Sequence, residues 1–390
     1  MPWHQTDPVN ERLKFVAAAQ RGDRSMAELC RDFGISRKTG YKHLARYRRD
    51  GPEGLRDHSR APQSHPNQTP ALIEASILRV RKAQPTWGSK KILASLCRNG
   101  WLEEDLPARS TVDAILKRAG VVQPRKRRTR RPHHGAPGVE AHAPNDCWSI
   151  DYKGWFRVGD GTRCDPLTVN DVRSRASLEC RALVSPKLED VQYRLERLFR
   201  RLGLPSMMLS DNGPPFGSNG IGGLSRLSVW LLRLGIRCVY IEPGHPEQNG
   251  RHERFHETLK AETASPPRAS IRAQQARFDR FKREYNQERP HEALDMKTPS
   301  DVYEPSEREM PSELSDHEYG AGFEARRVRR DGSIKWKAGY VFVGEALAGE
   351  VVGLRAQEEG ENFELHLGPV LLGVLHDRSR TVVPTGAPRS

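Results

Sequence analysis

"NGRHERFHETLKAE", residues 249–262, contains the pattern His-Glu-x-x-His at 252–256, and what that pattern does decides which fold surrounds it. On a helix His252 and His256 lie one turn apart and could share a zinc ion, with Glu253 as the base acting on a bound water, as in many metalloproteases. The flanks argue against this. Arg251, Arg254, Glu257 and Lys260 charge a helix that such a protease would bury, and the Gly and third His that would complete a zinc site downstream are missing. At about 100° per residue, Glu253, Glu257 and Lys260 form one stripe while Phe255 and Leu259 fall opposite. The helix therefore has a packing face and a chemical face, with His252 and His256 flanking the stripe.

The whole chain points away from proteolysis. Among 390 residues, 64 Lys and Arg stand against 50 acidic residues, a formal charge of +14. A polyanion is the expected partner, nucleic acid first. Nothing resembles a signal peptide or membrane span, so the expected location is cytoplasmic, in association with the nucleoid. The six cysteines are scattered without a Cys-x-x-Cys pair, which suits a reducing compartment and argues against a structural zinc site.

Composition divides the chain. A helix-turn-helix domain is expected over 1–55. Ser25 caps a short helix, Gly34 turns, and Ser36 caps a second helix that presents Arg37, Lys38, Tyr41 and Lys42 toward a major groove. A small helical bundle with a solvated basic face is the plainer alternative. Residues 56–122 predict a second helix-turn-helix-like unit of three helices, the last capped by Ser110; a packing or dimerisation unit would read the same. "QPRKRRTRRPHHGAPG", residues 123–138, is the centre of a basic linker assigned to 123–144, in which Arg125, Lys126, Arg127 and Arg128 are candidate phosphate contacts.

Residues 145–303 alternate strands and helices. "CWSIDYKGWFRV" from 147 predicts a strand with Trp148, Ile150 and Tyr152 on one face and Ser149, Asp151 and Lys153 on the other. Further strands are expected in "CDPLTVNDV" and "ASLECRALV". Then follow an amphipathic helix, an apolar strand ending at Asp211, another helix and another strand. This order suggests a mixed α/β fold of the ribonuclease H type. A linker over 304–320 then leads to short strands over 321–380, expected to close into a small β-barrel with Arg326, Arg327, Arg329, Arg330, Lys335 and Lys337 on one rim. The chain is thus read as multidomain: all-α helix-turn-helix units, a ribonuclease H-like α/β core and a small C-terminal β-barrel.

"IDYKG", "LSDNGPPF" and "PGHPEQNGRHERFHETLK" resemble, in order and context, the three acidic blocks of bacterial insertion-sequence transposases of the integrase-core type, which share their catalytic centre with retroviral integrases. The opening "MPW…ERLKFV", "PTWGSKKI" and "STVDAILKRAGVV" extend the resemblance over roughly residues 1–300. By this resemblance Asp151, Asp211 and Glu253 are the catalytic, metal-binding carboxylates. The interval between Asp211 and Glu253 exceeds the family's commonest spacing, which would select Glu247. Glu253 instead occupies the helical Asn-Gly-x-x-Glu-x-Phe position, and the extra residues fall in the Gly-rich "GSNGIGGLS", where insertion costs little. Lys260 matches a base that touches DNA near the scissile phosphate; an ion pair with Glu257 is the alternative.

What the resemblance implies is an Mg²⁺-dependent polynucleotidyl transferase, with Mn²⁺ able to substitute. Two ions about 3.5–4 Å apart would activate the attacking oxygen and stabilise the leaving one. Its expected partners are double-stranded DNA, both element ends and target, and further copies of the chain as a homo-oligomer on DNA, with no membrane. A retired, non-catalytic DNA-binding descendant and a nuclease that cuts without joining are the competing readings.

Overall fold

The computed structural model describes residues 7–59, 68–122, 139–218, 220–242, 245–357 and 361–384. It divides into two compact units, 1–69 and 70–390. The basic linker residues Arg125, Lys126, Arg127 and Arg128 lie outside the described residues.

The first unit holds α1 (Pro8–Arg21), α2 (Met26–Asp32) and α3 (Arg37–Asp50). Ser25 caps α2 in a reciprocal capping box with Glu28, and Ser36 caps α3 by accepting from the Thr39 N–H at 3.1 Å. Gly34 between them takes φ 63°, the left-handed turn its missing Cβ permits. Gly40 lets α3 approach closely: a Cβ there would stand 2.7 Å from Cys30 Sγ and 2.8 Å from Phe15 Cζ. Phe15, Val16, Leu29, Cys30, Leu44 and Leu55 close this small core.

The second unit begins with α4 (Ala71–Ala83), α5 (Ser89–Arg98) and α6 (Arg109–Arg118), packed around Ile77, Ile92, Val112 and Ile115. Ser110 does not cap α6. Pro107 precedes an extended Ala108, whose carbonyl already receives the Thr111 and Val112 N–H groups, so the helix starts before Ser110 and has no side-chain cap. Polar contacts tie this bundle to the α/β core: Arg98 pairs with Asp301 at 2.5 Å, Lys90 with Glu292 at 3.0 Å, and Thr86 donates to Glu262 at 2.9 Å.

The core strands are β1 (Cys147–Tyr152), β2 (Phe156–Arg157), β3 (Arg163–Asp171) and β4 (Ser177–Leu183). After α7 (Leu188–Leu202) come β5 (Met207–Ser210), α8 (Arg226–Arg233), β6 (Arg237–Tyr240), α9 (Gly250–Thr263) and α10 (Ile271–Gln287). Across the sheet the order is β4, β3, β1, β5, β6, with β2 extending the start of β3. β4, β3 and β1 run antiparallel; β1, β5 and β6 run parallel. Trp148, Ile150, Leu167 and Val169 pack with α7 and α8 side chains such as Leu195, Phe199 and Leu231. Cys164, Cys180 and Ala182 pack with Phe255, Leu259, Phe278 and Phe281 of α9 and α10. Helices on both faces explain why β3 is buried from Cys164 to Asp171 rather than alternating.

Among the described residues the expected C-terminal barrel does not close. β7 (Phe323–Arg327), β8 (Ser333–Trp336), β9 (Gly339–Phe342), β10 (Val351–Ala356), β11 (Asn362–Leu367), β12 (Val370–His376) and β13 (Thr381–Pro384) form an open five-stranded sheet, ordered β13, β12, β11, β10, β7, beside a separate β8–β9 hairpin. Closure would need β7 to pair β13, and these two strands stand at opposite edges of the sheet. The apolar side chains of these strands, including Trp336, Leu354 and Leu365, instead join the same cluster as the core residues Trp148 and Phe199. Residues 304–320 strap this arrangement together. The Arg308 guanidinium donates to the carbonyls of Pro205, Leu234 and Gly235 at 2.7, 3.2 and 3.0 Å.

Candidate active site

Asp151 is the next-to-last residue of β1 and stands opposite Thr168 of β3. The parallel register pairs Trp148 with Met208 and Ser149 with Leu209. Continuing that offset beyond the end of β5 brings Asp211 level with Asp151. Asp211 begins a turn in which the Gly213 N–H donates to its Oδ1 at 3.2 Å. Glu253 is in the first turn of α9, exposed on the side away from Phe255 and Leu259, which are 3% and 1% exposed. Burying two such side chains contributes roughly 2 kcal/mol each, and this anchors the helix over the sheet with its charged stripe outward.

Burial first, then the negative charges of Asp211 and Glu253, together raise the Asp151 carboxyl from its ordinary value to about 7. The three acids therefore share one field. Asn249, buried just before α9, donates its side-chain N–H to Asp151 Oδ2 at 3.3 Å. Among the described residues no three His, Cys, Asp or Glu side chains close into a metal-binding group. The chemistry of the donor set still fits a hard divalent cation: three carboxylates, all oxygen, whose mutual repulsion a cation would relieve.

The two histidines, His252 and His256, are buried between helix and sheet, with His256 Nδ1 3.9 Å from Asp151 Oδ2. Both Nε2 atoms meet the Thr168 hydroxyl, at 2.7 and 2.8 Å. That hydroxyl also approaches the Asp151 carbonyl at 3.1 Å. A hydroxyl has one hydrogen and two lone pairs. The consistent assignment gives its hydrogen to the carbonyl and makes both Nε2–H groups donors. His252 Nδ1 then accepts from Ser149 Oγ at 2.8 Å. Burial holds both rings neutral, His252 well below the usual histidine range and His256 down to about 3. The spot that a zinc ion would need is occupied by the Thr168 hydroxyl, so the pair pins α9 to β1 and β3.

Thr168→Val keeps the shape but leaves two buried imidazole N–H groups unpaired, at about 1–3 kcal/mol each. Urea unfolding should show a loss of about 2–5 kcal/mol, with Thr168→Ser close to wild type. Equal stability of the Val variant would sink the bracket.

Glu247 lies in the turn Pro246–Asn249, where His245 Nδ1 approaches its Oε1 at 2.8 Å. Lys260 is exposed and lines a cleft of about 180 Å³ with Lys153 and Trp155. Arg37, Lys38, Tyr41 and Lys42 are all exposed in the opening turns of α3. The single basic C-terminal rim is divided: Arg326 pairs with Glu324 at 2.5 Å, Arg327 with Asp316 and Lys337 with Asp377. Sequence reasoning missed Thr168, Ser149 and Asn249. Thr168 and Ser149 carry no signal beyond being polar in apolar strands, whereas Asn249 stood visible in the "QNG" before the helix.

Comparison with known proteins gives matches in both units. A family described as "Integrase core domain" matches residues 141–246, and a second family of the same description matches 234–299. A helix-turn-helix domain family matches 11–63 and a homeodomain-like domain family 39–116. An uncharacterized 31.7 kDa protein of insertion element IS407 from Burkholderia multivorans is 26% identical over 259 residues, 63% of this chain and 84% of the relative. An uncharacterized 39.2 kDa protein of insertion element IS476 from Xanthomonas euvesicatoria is 30% identical over 43% of this chain and 47% of its own length. Among solved structures, the HTLV-2 integrase catalytic core domain in complex with magnesium is 15% identical, with TM-score 0.34, over 42% of this chain and 99% of that one.

Proposed function

We propose, on the premise that the chain belongs to the integrase-core family of insertion-sequence transposases, that it binds the ends of its element and both cuts and joins DNA strands. The observation that carries this is the placement of Asp151 near the end of β1, Asp211 level with it just past β5, and Glu253 in the first turn of α9, the charges of the latter two raising the Asp151 carboxyl. Three acids placed so that one is held far above its ordinary range do not stabilise a fold; such an arrangement is characteristic of a reaction centre.

Asp151, Asp211 and Glu253 would hold the cations, Mg²⁺ or Mn²⁺. When bound, such ions supply charge stabilisation for an in-line displacement at phosphorus. The chain's own residues do the rest. Asn249 fixes Asp151 through its amide hydrogen bond. The bracket of Ser149, Thr168, His252 and His256 holds the Glu253 helix against the sheet. Lys260 and Lys153 offer positive charge to a phosphate beside the site. Water as nucleophile cuts a strand; a DNA 3′-hydroxyl joins one. No side-chain nucleophile is needed.

α3 would present Arg37, Lys38, Tyr41 and Lys42 to base edges, with Arg125, Lys126, Arg127 and Arg128 as phosphate contacts in the linker. A homo-oligomer on DNA is part of the same proposal. The test uses full-length protein with duplexes taken from the flanks of its gene, with and without Mg²⁺. Cut ends followed by joined strands are expected. Binding without either product would make the chain a retired DNA-binding protein, and cutting without joining would make it a nuclease.

A further inference from the structure

The β8–β9 hairpin has two unlike faces. Ile334, Trp336 and Val341 are buried against the rest of the unit, at 0%, 2% and 1% exposure. Tyr340 and Phe342, two residues apart on β9, point outward and are 57% and 59% exposed. The register pairs Lys335 with Tyr340, so an exposed cation shares the face with the rings. The Arg329 guanidinium lies 4.4 Å from the Tyr340 ring centroid. Lys335 and Arg330 enter no ion pair among the described residues, unlike Arg326, Arg327 and Lys337 nearby.

Two large rings in water on one short hairpin are costly unless something covers them. Phe342 also forms one wall of a cleft of about 630 Å³ whose other walls include Pro214, Ile221 and Leu224. Asn212 and Arg226 lie in the same cleft, with Glu345 as its acidic member. Asn212 directly follows Asp211, so the cleft leads from the proposed reaction centre to the aromatic face.

We infer that this face and cleft bind unpaired bases of single-stranded DNA, as a stacking platform beside the cut site. Every base has a π face, and exposed rings interleaved with Lys and Arg suit a strand whose phosphates are negative and whose bases are free. Tyr340 and Phe342 stand about 6.6 Å apart along the strand, roughly two base steps of a stacked strand at about 3.4 Å each. The occupant is chosen by charge: Arg329, Arg330, Lys335 and Arg226 outnumber the acidic Asp331 and Glu345 around the rings and cleft. This inference rests on the reading that the chain acts on DNA.

The test compares binding of a 12-nucleotide oligothymidylate with an abasic 12-mer of the same phosphate charge, using the full chain. The wild type should prefer the oligothymidylate. Tyr340→Ala and Phe342→Ala should each cut that preference about fivefold or more, the scale of losing one base–aromatic stack, while abasic binding stays put. Phe342→Trp should retain it. Both rings are exposed, and a matched thermal midpoint for each variant shows that the fold is kept. No preference in the wild type, or a preference that survives both truncations, overturns the platform. So does self-association that Phe342→Ala dissolves with the preference untouched, since a second copy would then be the occupant. A wild type that cuts and joins duplex ends yet ignores bases sinks the platform alone; one that neither cuts nor joins, yet prefers bases, sinks the transposase reading alone.

Discussion

Glu253→Gln should lower metal-dependent strand cleavage by about a thousandfold, and Asp151→Asn and Asp211→Asn should do the same, while Glu247→Gln cuts near the wild-type rate. Metal charge stabilisation of a phosphoryl transition state is worth several kcal/mol, and about 4 kcal/mol is about a thousandfold. The amide cannot replace the carboxylate as an anionic ligand, yet it keeps the side chain's size, and Glu253 is exposed on α9, so the fold should survive. Glu247 is the sharp control. The commoner spacing of such sites selects it, but it stands in the turn Pro246–Asn249 with His245 against its carboxylate. Gel-resolved cleavage of end duplexes decides the matter. A dead Glu247→Gln beside an active Glu253→Gln would show that the third acid had been misassigned.

The two-faced character of α9 was legible because a helix repeats every 3.6 residues, and burying Phe255 and Leu259 leaves no choice about where Glu253 goes. The caps Ser25 and Ser36 were legible for a similar reason: each side chain satisfies an N–H a few residues away. Thr168 was not. Its partners are 84 and 88 residues distant, and a Thr inside a strand looks the same whether its hydroxyl meets two histidines or nothing. The C-terminal barrel failed on the same ground. Alternation and turns set each strand, but whether the last strand meets the first depends on long-range packing, and here that apolar surface is spent against the α/β core. Ser110 failed locally, because the Ala108 carbonyl already receives the Thr111 and Val112 N–H groups and α6 begins before Ser110.

Metal-free protein should be stabilised by Asp151→Asn, and the gain should grow as pH rises. Burial and the charges of Asp211 and Glu253 raise the folded-state Asp151 carboxyl from 3.8 to about 7. Below pH 4 the carboxyl is protonated in both states and contributes nothing. Between about 4 and 7 the unfolded chain gives up the proton while the folded chain keeps it, so stability falls as pH rises through this window. Each tenfold in proton affinity is worth about 1.4 kcal/mol, so above pH 7 the cost reaches about 4 kcal/mol. Asn carries no such charge and escapes the cost. The buried histidines act in the opposite sense: held neutral in the fold, they lose stability as pH falls below about 6.5; His252 does so in wild type and variant alike, whereas His256 Nδ1 lies 3.9 Å from Asp151 Oδ2 and titrates together with it. Subtracting the two proteins' urea stabilities at each pH removes the His252 part. The difference should lie near zero at pH 4 and climb to several kcal/mol by pH 8 in the presence of chelator. Added Mg²⁺ should narrow it from the wild-type side, because a cation among the carboxylates removes the repulsion the variant was made to remove. A difference flat with pH would mean that Asp151 is not pressed by Asp211 and Glu253, and the shared field on which the proposed reaction centre stands would be gone.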